Sequence, residues 1–156
     1  DQIIDEKKDL GPLVNAKINF EYIVNDYPKS DFALDAELKL EAIKEILASK
    51  EMYTARYYFE KEKWIPAINR YKNILENYET TIFAEEALHR LVEIHYKLGL
   101  ENEAKKYAVL LGYNYQSSEW YEESYKIFNK NYKKKSLRDK KSLKKSTLEK
   151  LKSLIQ

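Results

Sequence analysis

The sequence contains no cysteine, and it has only three glycine and three proline residues among 156. Without cysteine the chain can form no disulfide bridge, and it offers neither a thiol nucleophile nor a thiolate ligand for zinc. Six glycine and proline residues are too few for the many tight turns of an all-β sandwich or barrel. No run approaches the ~20 consecutive apolar residues that a membrane-spanning helix needs. The composition, with 44% hydrophobic and 35% charged residues, therefore predicts one globular domain with a strongly charged surface.

Positive charge is concentrated at the C-terminal end of the chain. Residues 130–156 contain eleven lysine or arginine residues and two acidic residues, a formal charge of +9. Because the whole chain carries +2, residues 1–129 carry −7. We therefore divide the chain into an acidic domain, residues 1–129, and a basic tail, residues 130–156. The chain starts at Asp1 without an initiator methionine and shows no signal peptide, which suggests a processed or trimmed piece of a longer protein.

The acidic domain repeats itself. When residues 13–46 are aligned with residues 64–97, at an offset of 51, eight positions are identical. The identical pairs are Ala16/Ala67, Ile23/Ile74, Tyr27/Tyr78, Phe32/Phe83, Ala33/Ala84, Ala36/Ala87, Leu40/Leu91 and Ile43/Ile94. A third copy follows the second at an offset of 37, where Trp120 corresponds to Phe83. Internal repeats of this length indicate stacked supersecondary units.

Each unit is predicted to be a helix, a short turn and a second helix. In the second unit, both helices carry an apolar stripe at a spacing of three to four residues. The first stripe is Ile65, Ile68, Tyr71, Ile74, Leu75 and Tyr78, and the second is Phe83, Ala84, Ala87, Leu88, Leu91, Ile94 and Leu98. Thr81 is suited to N-cap the second helix, and Gly99 is suited to its left-handed C-cap. Pro12 and Pro66 lie near predicted helix starts, where a missing N–H costs little.

The pattern Ala87-x3-Leu91-x4-Tyr96-Lys97-x-Gly99-x3-Glu103-Ala104 resembles the tetratricopeptide repeat, whose period is ~34 residues. We therefore predict an all-α fold, a tetratricopeptide-like α-solenoid of stacked antiparallel helix pairs. The offset of 51 exceeds one period by about 17 residues, which we place in segment 31–62, where glycine and proline are absent. This extended segment is either one long helix or two helices with a break near residues 48–51. A lengthened helix would form a ledge on which a partner can sit.

One segment narrows the family. Leu47-Ala48, Ala55-Arg56-Tyr57-Tyr58, Trp64 and Ala67-Ile68-Asn69-Arg70 follow one another, and a Tyr-Pro turn occurs at Tyr27-Pro28. This arrangement resembles the BamD family (also called ComL or YfiO) of outer-membrane assembly lipoproteins. The resemblance covers about residues 10–128 and matches the C-terminal half of the family. The second Tyr-Pro turn has become Tyr78-Glu79, and the basic tail lies outside the resemblance.

The resemblance implies a protein-binding scaffold. Members of the family are tethered by a lipid on an N-terminal cysteine to the periplasmic face of the outer membrane of Gram-negative bacteria. They help BamA, through its periplasmic POTRA domains, to fold and insert β-barrel proteins. The later repeats dock on BamA and on smaller Bam lipoproteins, so these are the partners implied here. The lipid-bearing cysteine and the first repeats would lie upstream of Asp1.

Arg70 is the first candidate for a partner contact. It matches the arginine of the family's Ala-Ile-x-Arg motif, and it lies one step off the apolar stripe that contains Ile68 and Tyr71. A guanidinium that projects sideways from this position can bind a partner's carboxylate through two parallel hydrogen bonds. The alternative is an internal salt bridge to a neighbouring repeat.

Arg56, Tyr57, Tyr58 and Trp64 are the other candidates, because arginine and aromatic residues are common in interface hot spots. Aromatic residues at helical spacing also form cores, so a core role stays open for each of them. Adjacent helical residues point about 100° apart. We therefore expect one of Tyr57 and Tyr58 to pack inside and the other to be more exposed.

No pattern in the sequence indicates an enzyme, a cofactor or a metal. His89 and His95 are six residues apart on one predicted helix, so they lie about 240° apart around its axis and cannot share a metal unaided. We interpret both as structural residues. Adjacent glutamates such as Glu85-Glu86 point apart, which favours a solvated face over an acid–base dyad. There is no glycine-rich phosphate loop and no serine nucleophile elbow.

The basic tail is the last candidate site. Its clustered lysines are Lys133, Lys134, Lys135, Lys140, Lys141, Lys144 and Lys145. A capping box at Ser146-x-x-Glu149 and a stripe at helical spacing (Leu148, Leu151, Leu154 and Ile155) predict a short terminal helix. Such a helix could lie on an anionic membrane surface or bind an acidic partner, including the acidic domain of its own or a neighbouring chain. The alternative is a solvated, partly disordered extension. Nucleic acid is disfavoured, because the tail has one aromatic residue and one arginine.

Two other functions stay open on the sequence. The chain could be a tetratricopeptide adaptor of another pathway, cytoplasmic or periplasmic. It could also be a membrane-surface binder that acts through the basic tail. A scaffold of the outer-membrane β-barrel assembly machinery is the interpretation that accounts for segment 47–70.

Overall fold

The computed structural model describes residues 9–129, and within them the chain forms six α-helices and no β-strand. The helices are α1 (Gly11–Asp26), α2 (Ala33–Glu60), α3 (Trp64–Asn77), α4 (Phe83–Lys97), α5 (Glu101–Asn114) and α6 (Glu119–Phe128). Connections of three to six residues join consecutive helices, and each helix packs against the next one along the chain. The predicted all-α, tetratricopeptide-like fold is confirmed.

The extended segment is one helix. α2 runs without interruption for 28 residues, which is about 42 Å at 1.5 Å per residue. Near its start, Lys39 lies over the ring of Phe20 in α1. Further along, Met52 and Ala55 belong to a core cluster shared with α3 and α4. The extra length therefore lets α2 contact α1, its partner in the first helix pair, as well as α3 and α4 of the second pair.

The helix ends follow the sequence signals with one exception. Pro12 lies in the first turn of α1, and Gly99 has φ +75° just after α4 ends. Thr81, however, does not cap α4: the N-cap position is Ile82, and it makes no side-chain cap hydrogen bond. The Thr81 hydroxyl instead donates to the carbonyl oxygen of Tyr78 over 2.7 Å. The N-cap prediction is wrong because this buried hydroxyl satisfies a carbonyl of the turn rather than an N–H of the helix.

The main core lies where α2, α3 and α4 meet. Its buried members are Met52, Ala55, Ala67, Tyr71, Ile74, Ala87, Leu91 and Ile94. Three of these eight residues are alanines, whose small side chains let helices approach closely. A close approach also joins α5 to α6, because a Cβ atom at Gly112 would lie only 2.8 Å from Cε2 of Tyr121. Glycine at this position therefore makes room for the tyrosine ring.

Two residues of the predicted stripes lie outside the core. Ile65 is 75% exposed, and Leu98 is also exposed. Ile65 lies 200° around the axis of α3 from the buried Ala67, at 100° per residue, so it faces away from the main core. Leu98 is the C-cap residue of α4, beyond the last full turn of that helix. The stripe predictions are wrong at these two ends and correct in the middle, where Tyr71, Ile74 and Leu91 are fully buried.

Candidate functional site

Arg70 is paired within the chain. Its Nη1 atom donates to both carboxylate oxygens of Glu51 on α2, each over 3.1 Å. The Arg70 side chain is 46% exposed and that of Glu51 is 22% exposed. This is the internal salt bridge that the sequence left as the alternative. An exposed ion pair of this kind contributes only about 0–1 kcal/mol to stability, so breaking the Arg70–Glu51 pair costs little.

Arg70 lines a groove between α2 and α3. The groove has a volume of about 290 Å³ and is lined by Tyr58, Ile65, Pro66, Asn69, Arg70 and Asn73. Ile65 and Pro66 supply apolar surface, the two asparagines supply amide donors and acceptors, and Arg70 supplies positive charge. An exposed isoleucine beside an arginine is the combination of apolar anchor and charged fork found in protein-binding surfaces. We call these six residues the α2–α3 groove.

Of the six residues of this groove, Tyr58 and Arg70 are sequence-predicted site residues and the others are not. The apolar stripe predicts Ile65 as a core residue, and no motif predicts a role for Asn69, Asn73 or Glu51. The signal was nevertheless present, because positions 65, 69 and 73 and positions 66 and 70 are four residues apart and so share one face of α3. Glu51 had no such signal, since nothing in the sequence indicates which residue of α2 faces Arg70.

Arg56 has a different environment from Arg70. Its Nε atom donates to Oε1 of Glu86 over 3.0 Å, and its Nη2 atom pairs with Oε2 of the same carboxylate. Arg90 adds a longer contact to Glu86, at 3.5 Å. Burial alone would raise the pKa of Glu86, but the hydrogen bond and charge of Arg56, together with Arg90, outweigh it and lower that pKa. Arg56 thus joins α2 to α4 through a bidentate ion pair, while half of its side chain stays exposed.

The aromatic candidates divide into exposed and packed side chains. Tyr57 is 50% exposed, whereas Tyr58 packs against the main core, and their rings meet edge to face at 5.7 Å. The expectation that one tyrosine packs inside and the other is more exposed is confirmed. Trp64 also packs against the core, where its ring contacts Phe59 at 5.7 Å and lies 5.4 Å from Nζ of Lys97.

Both histidines are buried and hydrogen-bonded inside the protein. Nδ1 of His89 lies 2.8 Å from Oγ of Ser124 in α6, and Nδ1 of His95 lies 2.7 Å from the carbonyl oxygen of Leu91. Burial lowers the pKa of His89, although the nearby carboxylate of Glu93 opposes the shift. Among residues 9–129, no group of three or more histidine, aspartate or glutamate side chains could hold a metal ion. The geometry of both residues is that of structural histidines.

The candidate residues of the basic tail lie outside the described residues. This applies to the clustered lysines, to the Ser146-x-x-Glu149 capping box and to the predicted terminal helix. Within the part of the chain that the structure describes, no helix has the length and apolar character needed to cross a membrane.

The architecture and this surface define a class of protein: a tetratricopeptide-like helical-repeat scaffold whose interior charges are paired and whose α2–α3 groove faces outward. Residues 1–110 match the family model YfiO, described as "Outer membrane lipoprotein". The chain belongs to this family.

Curated relatives agree with this assignment. The chain is 42% identical over 130 residues to the "Outer membrane protein assembly factor BamD" of Rickettsia prowazekii, which covers 83% of this chain and 51% of that protein. It is 37% identical over 131 residues to the protein of the same name from Caulobacter vibrioides, covering 84% of this chain and 43% of that protein. It is 32% identical over 107 residues to that of Vibrio cholerae, covering 69% and 44% respectively. The chain thus spans about half the length of the curated relatives it matches.

Proposed function

We propose that this chain is a protein-binding scaffold of outer-membrane protein assembly that docks on the POTRA domains of BamA and on other Bam lipoproteins. The family membership and the assembly-factor names of the relatives support the pathway. The observation that carries the proposal is the α2–α3 groove, where an exposed isoleucine adjoins a half-exposed arginine whose ion pair, among residues 9–129, is with Glu51.

The proposed mechanism is binding without catalysis, on a rigid helical surface. Ile65 supplies the apolar anchor, and Arg70 exchanges Glu51 for a carboxylate of the partner, which fixes the register of the complex. Tyr58 forms the wall of the groove on the α2 side. Because α2 and α3 are both packed on the main core, the groove is preorganised, and binding costs little conformational entropy.

The remaining candidates have supporting places in this proposal. Tyr57 is exposed beside Tyr58 and extends the contact surface along α2. Trp64 of α3 packs against Phe59 of α2 and so joins the groove's two helices, while Arg56 ties α2 to α4. The basic tail, with Lys133–Lys135, Lys140, Lys141, Lys144 and Lys145, is not needed for this contact. We propose that the chain works at the periplasmic face of the outer membrane of a Gram-negative bacterium, held there by a lipid anchor of the full-length protein.

The test is a binding titration against the POTRA domains of BamA from the same organism. Arg70→Glu should abolish binding, because it places a negative charge where the partner's carboxylate sits. Glu51→Gln should strengthen binding several-fold, because it removes the internal competitor for Arg70; one neutral hydrogen bond replacing a charge-assisted bond changes the balance by about 1 kcal/mol. The second variant separates a partner contact from a purely internal salt bridge.

Lys72→Glu is the matched control. It makes the same charge reversal on the same helix, but Lys72 is exposed and is not part of the groove. Equal weakening by Arg70→Glu and Lys72→Glu would mean that net charge, not the groove, governs binding. Weaker binding by Glu51→Gln would overturn the exchange mechanism. Circular dichroism of each variant checks that the helical fold is intact.

A further inference from the structure

One face of α2 changes from buried to exposed along the helix, because α2 has 28 residues and its neighbour α3 has only 14. In the second half of α2, Met52 and Ala55 are fully buried in the main core with residues of α3 and α4. Leu34 precedes Met52 by 18 residues, which is about five full turns, so both lie on the same face of α2. Leu34 is nevertheless 68% exposed. Within residues 9–129, the cover that α3 and α4 give to this face therefore ends before Leu34.

The exposed part of this face carries a continuous row of apolar side chains. The row consists of Leu34, Leu38, Ala42 and Ile46, each four residues after the one before it. All four residues are exposed, and Leu38 is 62% exposed. Rows at a spacing of four residues are the ridges through which α-helices pack on one another. In the part of the chain that the structure describes, no helix packs on this ridge, and we call residues 33–46 the α2 ledge.

The turn between α3 and α4 bounds one end of the α2 ledge. The backbone N–H of Ile82, in this turn, donates to Oε1 of Glu45 over 3.2 Å. Ile82 is 76% exposed, so it adds apolar surface beside the last turn of the ledge. Residues 33–46 extend over about 21 Å. The ledge is therefore long enough to hold a partner helix of about four turns.

A row of acidic side chains runs beside the apolar row. Glu37, Glu41 and Glu45 are also four residues apart, and the first two are exposed. Neither of these two carboxylates has an ion-pair partner among residues 9–129. An apolar ridge with an acidic flank complements a helix that presents apolar residues beside lysine or arginine.

The same glutamates disfavour two other occupants of the ledge. A second copy of the chain, packed antiparallel through the same ridge, would bring the two glutamate rows together, and like charges in contact destabilise an interface. An anionic membrane surface would repel the glutamate row as well. The acidic flank therefore selects a partner with positive charge.

We propose that the α2 ledge binds an amphipathic helix of a protein partner, and that this helix carries lysine or arginine beside its apolar face. The partner helix packs on Leu34 and Leu38, and so continues the helix packing that buries Met52 further along α2. Its positive side chains pair with Glu37 and Glu41. This surface is separate from the α2–α3 groove, with which it shares no residue.

Binding of two synthetic helical peptides to the full chain, measured by fluorescence anisotropy, tests this proposal. Both peptides have about four turns and a leucine at every fourth position. One has lysines beside the leucine row, and the other has glutamines at the same positions. The lysine peptide should bind with a micromolar Kd, and the glutamine peptide should bind at least ~10-fold more weakly, because it cannot pair with the acidic row.

Substitution of the apolar row locates the binding surface. Leu34→Gln with Leu38→Gln should weaken binding of the lysine peptide at least ~10-fold, because the two leucines are its apolar anchors. The matched control is Val109→Gln with Leu110→Gln on α5, whose side chains are 69% and 48% exposed. It also removes two exposed apolar side chains, but it should change the Kd by less than ~2-fold. Circular dichroism checks that both variants keep their helices.

Substitution of the acidic row tests the charge complementarity. Glu37→Gln with Glu41→Gln should weaken binding of the lysine peptide several-fold and leave binding of the glutamine peptide unchanged. The matched control is Glu76→Gln with Glu79→Gln, which removes the same charge from exposed positions away from the ledge. Equal weakening by the two pairs would mean that net charge governs binding, and it would overturn the proposal.

Three further outcomes would also overturn the proposal. They are no binding of the lysine peptide by the wild-type chain, equal losses in the α2 and α5 variants, and a dimer in sedimentation that Leu34→Gln with Leu38→Gln dissociates. The last outcome would make a second copy the occupant. The Leu34→Gln, Leu38→Gln variant should leave the titration against the POTRA domains unchanged, so this proposal and that for the α2–α3 groove can fail separately.

Discussion

α1 and α4 have almost the same length, 16 and 15 residues, yet α1 has no buried residue and α4 has nine. Within the described residues α1 packs against α2 alone, whereas α4 packs against α2, α3, α5 and α6. α1 carries three charged residues and α4 carries five, together with two histidines. The less charged helix is therefore the less buried one. Position in the stack decides burial here, as expected of a solenoid whose units contact only their neighbours.

The polar residues of α4 tolerate this central position because they are paired. Glu86 binds two arginines, His89 contacts Ser124, and His95 contacts the carbonyl oxygen of Leu91. A buried polar group left without a partner costs about 1–3 kcal/mol. On α1 no residue is buried within the described part of the chain, so no such pairing is required there. Mutations in the two helices should therefore change the stability of the protein by different amounts.

The largest expected difference between the two helices comes from deleting apolar volume. Leu91→Ala in α4 should destabilise the protein by about 2–5 kcal/mol, because the leucine is fully buried and its removal leaves a cavity. Ile18→Ala in α1 should cost under about 0.5 kcal/mol, because Ile18 is 56% exposed. Urea unfolding of both variants measures the difference. Similar losses would show that another part of the molecule covers the outer face of α1.

Local patterns in the sequence were sufficient to predict the helices. They were not sufficient to predict the long-range contacts between helices. The apolar stripes and Gly99 are signals within a few residues of each other, and the repeat alignment places matching stripes 51 residues apart, so together they predict the helix pairs. The core prediction for Ile65 is wrong because spacing does not fix the face of the last residue in a stripe. A residue at the end of the stripe can lie on either side of the helix. The N-cap prediction for Thr81 is wrong because its hydroxyl can either accept from an N–H of the following helix or donate to a carbonyl of the turn. The sequence does not show which of these two hydrogen bonds forms.

The pairing of the two arginines shows the limit of sequence reasoning at the site. Arg56 and Glu86 are 30 residues apart, and Arg70 and Glu51 are 19 apart. Neither separation falls within the spacing of four at which helix neighbours can be read from sequence. The sequence ranks Arg70 ahead of Arg56 only through the family motif, and the packing of α2 against α3 and α4 is what separates the groove residue Arg70 from Arg56, which ties α2 to α4.

The Arg56–Glu86 pair ties α2 to α4, and breaking it should have the next largest effect. Arg56→Met should destabilise the protein by about 1–3 kcal/mol, less than for a fully buried pair, because half of the arginine is exposed to solvent and its charge is screened. A double-mutant cycle with Glu86→Gln isolates the coupling. Lys39→Met, which breaks the exposed Lys39–Asp35 pair near α1, is the control and should change stability by under about 0.5 kcal/mol.

The same pair predicts a dependence on acid. Because the pKa of Glu86 is lowered in the folded protein, its contribution is fully present above the ordinary glutamate pKa of about 4.3 and is lost as the pH falls through the lowered value. Glu86→Gln should lose that part of the acid sensitivity. Urea midpoints measured between pH 3 and pH 6 report it. An unchanged acid slope in the variant would mean that other carboxylates carry the effect.

His89 predicts a smaller effect in a separate pH range. Burial lowers its pKa below the ordinary value, with Glu93, Glu123 and Glu86 opposing and Arg90 assisting. His89 therefore binds a proton more readily in the unfolded chain than in the folded protein. Its contribution to stability is fully present above about pH 6.5 and declines as the pH falls toward its lowered pKa in the folded protein. His89→Gln should reduce the change of the urea midpoint with pH between pH 5 and pH 7.5. A wild-type midpoint that rises on acidification would contradict the sign.

The smallest effect is expected at Tyr71, whose ring is fully buried but whose hydroxyl has no hydrogen-bond partner among the described residues. Burial raises the pKa of this hydroxyl, so it stays protonated and its O–H group still needs a hydrogen-bond acceptor. Tyr71→Phe removes a desolvated, unpaired group and leaves the ring packing intact. The variant should therefore be neutral or more stable by up to about 1 kcal/mol.

Tyr22→Phe in α1 is the matched comparison for Tyr71→Phe. It removes the same atom, but there the hydroxyl lies 3.2 Å from that of Tyr27 on an exposed surface. Water replaces that contact, so the urea midpoint should not move. A gain in stability at Tyr71 without one at Tyr22 would show that burial, not the loss of a hydroxyl as such, sets the sign. A loss above about 1 kcal/mol at Tyr71 would instead mean that an ordered water satisfies the hydroxyl in the core.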